Sequence, residues 1–141
     1  MSNFLYGNFK QSLLSQNPSV DLDTDTIKVA LVSNAYTPNT NAGTSGDQYY
    51  SSLSGVIATA TVTSKTVTGG VFDAADVTFT SVTSTATVQR LVLNKEIATA
   101  ANSTWPLIAV IGSATSGLPV TPNGGDITVS WDNGSSKIFA L

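Results

Sequence analysis

The chain has no cysteine and no histidine. Without cysteine there is no disulfide, no thiol nucleophile and no thiolate metal ligand. Without histidine the commonest general base and the commonest metal ligand are both missing. Charge is also scarce, at 11% of residues with a net of −3. The six basic residues are scattered as Lys10, Lys28, Lys65, Arg90, Lys95 and Lys137, so no basic stripe suited to nucleic acid forms. No apolar run approaches the roughly 18 residues needed to span a membrane. The N-terminus MSNFLYGNFK lacks a charged segment followed by an apolar one, so no secretory signal is expected and synthesis in a cytoplasm is.

What is abundant is threonine and serine, 20 and 18 of 141 residues. Threonine favours strands, and serine favours turns and caps. A chain of this length is expected to form one domain, 1–141, with a core that needs no staple.

The closing stretch, Gly117–Leu141, carries the plainest signal. Asp126–Trp131 alternates polar and apolar, with Ile127, Val129 and Trp131 on one face, the period of a half-buried strand. Asp132-Asn-Gly134 suits a tight turn, and Lys137–Leu141 is expected to return as the second strand of a closing hairpin. A chain ending on Ile138, Phe139 and Leu141 is expected to bury its terminus.

Further strands are expected over Thr26–Ser33, Val56–Thr63, Lys65–Thr68, Val71–Asp73, Asp76–Val82, Thr87–Leu93 and Trp105–Ile111. Thr26–Ser33 is apolar on both faces toward its end, which places it centrally. Gly69-Gly70 should turn one hairpin. Pro106 belongs at a strand start or an edge, because it has no N–H to donate. Trp105 and Trp131 both sit in apolar strand patterns and are expected in the core. The sum is an all-β, mainly antiparallel domain, a sandwich or barrel-like fold, with its β body over 26–141.

Two short helices are expected beside it. Leu5, Phe9 and Leu13 recur every four residues, widened by Phe4 and Leu14, with Ser2 or Asn3 as cap and Pro18 beyond the end. This segment, 1–15, either lies across one end of the sheet or acts as an arm that docks on a partner through Phe4, Leu5 and Phe9. Ser45-Gly-Asp-Gln48 fits a capping box ahead of a second short helix through Tyr49, Tyr50 and Leu53, closed by Gly55. Between the two, Asn34–Gly46 is a 13-residue polar loop, long enough to suggest contact or mobility.

Catalytic patterns are thin. Ser64-Lys65 and Ser136-Lys137 are adjacent pairs, and neighbouring side chains on a strand point to opposite faces. Asp21, Asp23 and Asp25 alternate as at the start of a calcium loop, but Thr26 and Val32 stand where glycine and glutamate would be required. Neither an enzyme activity nor a catalytic, cofactor or metal site is expected.

The pieces DLDTDTIKVALV (Asp21–Val32), VFDAADVTFTSV (Val71–Val82), LVLNK (Leu91–Lys95) and GLPVTPNGGDITVSWDNGSSKIFAL (Gly117–Leu141) resemble a family of small virion structural proteins of tailed bacteriophages, often encoded among head genes. The resemblance runs in order along nearly the whole chain. It departs at Thr37–Gly46 and Ala98–Trp105, where loops are expected. The resemblance implies a capsid decoration or cement protein on the virion surface. Its partners would be the major capsid protein and neighbouring copies of itself, with no nucleic acid and no membrane. A tail-tube or head–tail connector role is the alternative, with Asn34–Gly46 as an extended arm. A receptor- or glycan-binding module is the third, and would need an exposed aromatic cluster such as Trp105 with Tyr49 and Tyr50.

Overall fold

The computed structural model describes residues 3–114 and 116–141, so the candidate cap Ser2 lies outside the described residues. Among the described residues the architecture is all-β and antiparallel, in three sheets. The largest has five strands: β1 (Phe4–Leu5), β8 (Leu107–Ile111), β7 (Arg90–Lys95), β2 (Ile27–Val32) and β3 (Val56–Thr61), in that spatial order. A second sheet orders β10 (Phe139–Ala140), β5 (Val71–Asp73) and β4 (Thr66–Thr68). The third pairs β6 (Val77–Phe79) with β9 (Ile127–Val129). One helix, α1 (Gly7–Ser15), contacts β8.

The sequence pattern explains the layering. β2 and β7 lie side by side in the interior of the large sheet, with Val29 opposite Leu93 and Leu31 opposite Leu91. β2 is a nearly continuous apolar run, and β7 carries Leu91–Leu93 between a buried Arg90 and a buried Asn94, because both faces of these strands are covered. β6 instead alternates, burying Val77 and Phe79 and exposing Thr78. The core gathers Ile27, Val29, Leu31, Val92, Leu93, Ile108 and Val110 from the large sheet with Phe72, Phe79 and Trp131 from the smaller ones. Each such side chain contributes about 1.5–3 kcal/mol on burial.

Two turns follow their residues closely. Gly69 and Gly70 have φ of +61° and +79° and join β4 to β5, as a two-residue hairpin with both central residues left-handed requires. Pro106 immediately precedes β8. Its carbonyl accepts from Lys95 N–H, so the missing donor costs the ladder little.

Several expectations are corrected. The closing hairpin does not form. β9 pairs with β6 and β10 pairs with β5, in different sheets. Trp131 is the cause, since its indole N–H donates to Ala75 O at 2.9 Å and its backbone N–H to Asp76 Oδ1 at 3.1 Å. That draws the chain toward the segment before β6 and away from its own return. The terminus is not buried either, since Leu141 is 69% exposed while Ile138 and Phe139 are half-buried.

The helix begins later than the apolar spacing suggests. Phe4 and Leu5 are a strand, paired with Val110 and Ala109, and the cap position is Tyr6 and not Asn3. Asn3 instead accepts the N–H groups of Gly112 and Ser113 at 3.0 Å. Two single 3-10 turns form here, first Gly43–Ser45 and then Tyr50–Ser52, and the latter is the expected second short helix, reduced to one turn between Tyr49 and Leu53. Ser45 ends the first turn, so no capping box forms.

Candidate functional site

The N-terminal segment held three candidate contact residues, and the structure separates them. Phe9 is buried, with its ring against Phe139 at 6.1 Å in an edge-on arrangement. It is a core residue and not a docking residue. Leu5 is half-buried on β1, at the side of the large sheet. Phe4 is 43% exposed. The residue missed is Leu14, at 90% exposure. Leu14 lies five residues beyond Phe9, about 140° round a helix of 3.6 residues per turn, and so off the face that Phe9 buries. With α1 beginning at Gly7, the buried face is Asn8, Phe9 and Ser12, and Leu14 turns outward.

The same segment holds the long loop. Asn8 Nδ2 donates to Gly43 O at 3.1 Å and to Asp47 O at 3.3 Å, while Gly43 N–H donates to Asn8 Oδ1 at 2.7 Å. Gly7 N–H donates to Thr40 O at 2.8 Å. A Cβ on Gly7 would lie 2.5 Å from Ala42 N, so glycine is required by close backbone approach and not by helix geometry. The loop that sequence length marks as mobile is therefore fastened along the helix start.

Beneath it runs a buried polar chain. Tyr36 Oη donates to Asp47 Oδ2 at 2.6 Å, and Tyr6 Oη lies 2.7 Å from Tyr36 Oη. Because the Tyr36 proton is committed to the carboxylate, Tyr6 must be the donor to Tyr36. Burial raises the pKa of both phenols well above the ordinary tyrosine value. Tyr6 and the Asp47 charge raise that of Tyr36 further. Arg90, at the start of β7, donates to the carbonyls of Tyr36 and Ser33. The chain links three elements distant in sequence, and its members are protonated hydroxyls and an engaged carboxylate. It is built to hold position.

The aromatic cluster does assemble. Tyr50 and Trp105 have ring centroids 5.5 Å apart at 56°, and Tyr49 bridges to Pro106. All three rings are half-buried. The Trp105 indole N–H turns inward to Ile97 O at 2.9 Å and Ala100 O at 3.0 Å. Burial and the nearby Glu96 raise the Tyr50 pKa.

The acidic stretch is a turn. Asp25 Oδ2 accepts Asp21 N–H at 2.7 Å and pairs with Lys95 at 2.8 Å. Asp21 and Asp23 share a hydrogen bond that lowers the pKa of the first and raises that of the second. Among the described residues no group of three or more acidic side chains is placed to hold a metal ion.

A cleft of about 700 Å³ lies between the large sheet and β9. Its apolar wall includes Leu31, Leu91, Val129 and Trp131, and its rim carries Ser113, Ser130 and Ser136. A smaller pocket of about 120 Å³ lies between β1 and β10. No protein-family model, curated protein or solved structure matches the chain.

Proposed function

We propose that this protein is a virion structural protein of a tailed bacteriophage. In this reading it is a decoration protein that binds the assembled head shell and stabilises it. The observation that carries the reading is the N-terminal segment. Phe4 and Leu14 are apolar and exposed, while the residues between them, Tyr6, Asn8 and Phe9, are locked into the body. A docking surface built this way loses little conformational freedom on binding. The motifs from Asp21 to Leu141 that resemble the phage family supply the context.

The partners on this reading are the major capsid protein and neighbouring copies of the chain. The mechanism is additive. Each copy that binds only the mature shell stabilises it by mass action, about 2.7 kcal/mol per site at a free concentration of 100 times the dissociation constant. The tube-protein alternative would need Asn34–Gly46 to extend, whereas Asn8 and Gly7 hold that loop against the body.

The test is binding to purified heads that lack the protein. Truncation of residues 1–15 is unsuitable, because it removes Tyr6 and Phe9 from the core. The double variant Phe4→Thr with Leu14→Asp removes the exposed apolar groups and keeps a strand-favouring residue in β1. We expect at least a tenfold loss of head binding with the thermal midpoint nearly unchanged. Head binding equal to that of the unmodified protein would overturn the docking surface.

A further inference from the structure

The chain contains two Asn-Gly pairs, Asn123-Gly124 and Asn133-Gly134. Asparagine is chemically labile. The backbone nitrogen of the next residue can attack its side-chain carbonyl carbon, Cγ. A following glycine favours the attack, because it has no Cβ in the way and reaches backbone angles that other residues do not. The two pairs are identical in sequence, and both asparagines are exposed. The fold treats them differently.

Asn123 is tied down at both reacting groups. Its side chain is engaged, since Oδ1 accepts Gly125 N–H at 2.9 Å. The nucleophile is engaged as well, since Gly124 N–H donates to Val82 O at 2.8 Å. Val82 N–H in turn donates to Gly125 O at 2.9 Å, so the pair of residues is clamped on both sides of the dipeptide. Bringing Gly124 N onto Asn123 Cγ would break the bond to Val82 and the bond to Gly125 together.

Asn133 has neither restraint. It lies between β9 and β10, outside every strand ladder. Among the described residues its side chain has no hydrogen-bond partner within the chain. Gly134 N–H has one acceptor, Asp132 Oδ1 at 3.1 Å, and Asp132 is itself exposed and free to rotate away. A Cβ built on Gly134 would meet Asp132 side-chain atoms and nothing else. The surroundings therefore leave the ring-closing movement open.

We propose that Asn133 is a site of spontaneous deamidation, and that the bonds around Asn123 protect the other pair. Gly134 N forms a bond to Asn133 Cγ, the bond from Cγ to Nδ2 breaks, and ammonia leaves with the proton that Gly134 N gives up. The product is a five-membered cyclic imide. Water then opens it at either carbonyl, which yields aspartate or isoaspartate. Either product adds one negative charge beside Asp132, to a chain whose net charge is −3. Isoaspartate also places one extra methylene in the backbone two residues after Trp131, which is fixed to Ala75 and Asp76. The inference does not depend on the head-decoration reading.

The test is to age the full chain in mildly alkaline buffer and follow both sites by mass spectrometry. A protease that cuts before aspartate places Asn123 and Asn133 on separate peptides, because Asp126 and Asp132 lie between them. Isoaspartate is scored by its enzymatic methylation. In the folded protein conversion at Asn133 should be at least tenfold faster than at Asn123. In urea the two rates should become similar. Gly134→Ala should slow conversion at Asn133 at least tenfold. That variant should fold, since Gly134 is outside the left-handed region and the added methyl meets only a mobile side chain. Equal rates at the two sites in the folded protein overturn the proposal, as does an intact Asn133. An Asn123 that stays slow in urea overturns the protection by the fold. An unchanged rate in Gly134→Ala overturns the cyclic route.

Discussion

The Tyr36 hydroxyl donates to the Asp47 carboxylate at 2.6 Å, across the base of the loop that separates them in sequence. The same carboxylate oxygen accepts Asn39 N–H at 2.9 Å. One side chain therefore holds both the loop and the tyrosine that leads back to Tyr6. Asp47→Ala should leave the Tyr36 hydroxyl buried without its acceptor, a loss of about 1–3 kcal/mol. Urea unfolding should show it as a lower midpoint with an unchanged slope. An unchanged midpoint would mean that the loop is held by Asn8 alone.

The phenols set the alkaline limit. Tyr6 and Tyr36 have their folded-state pKa values raised by burial, whereas in the unfolded chain they ionise near the ordinary value of about 10. Below that pH both states are protonated and the full stability is present. Above it the unfolded state releases protons that the folded state retains, so stability falls as pH rises. Denaturant midpoints from pH 8 to 11 should be level at first and then decline. Tyr36→Phe should make the decline shallower, and an equally steep decline in that variant would assign the effect to other groups.

Gly7 reverses an ordinary rule. Alanine in place of an exposed helical glycine usually stabilises by about 1 kcal/mol. Here the added Cβ would lie 2.5 Å from Ala42 N and 2.7 Å from Asn41 C, and both are backbone atoms that cannot rotate aside. Gly7→Ala should destabilise, with faster amide exchange at Gly43, whose N–H is bonded to Asn8 Oδ1. A higher thermal midpoint would show that the loop is free to move away.

Trp131 joins the β9 segment to the residues before β6. Its side chain is 8% exposed and bonded to Ala75 O. Trp131→Phe keeps an aromatic ring but loses the indole donor and some volume, and we expect a loss of about 1–3 kcal/mol. Trp131→Ala should cost about 3–5 kcal/mol. If both cost the same, the hydrogen bond and not the ring volume is what the site requires. Both can be measured by thermal and urea unfolding.

Much of the fold was legible in residue patterns. The apolar runs Ile27–Val32 and Leu107–Ile111 and the Gly69-Gly70 hairpin were each readable from local periodicity or turn chemistry. What was illegible was pairing. Asp126–Trp131 and Lys137–Leu141 have the local look of a hairpin, yet long-range bonds from Trp131 to Ala75 and Asp76 place their strands in different sheets. The N-terminal segment shows the same limit. Phe4 and Leu5 fit a helical stripe as well as a strand, and pairing with Ala109 and Val110 decided between them.

The central claim is that the protein coats a phage head. It is tested most directly by its copy number per virion, measured by quantitative mass spectrometry against the major capsid protein. Decoration predicts a ratio approaching one copy per capsid subunit. A few copies per particle, or a number that scales with tail length, would contradict it and assign the chain to the connector or the tail.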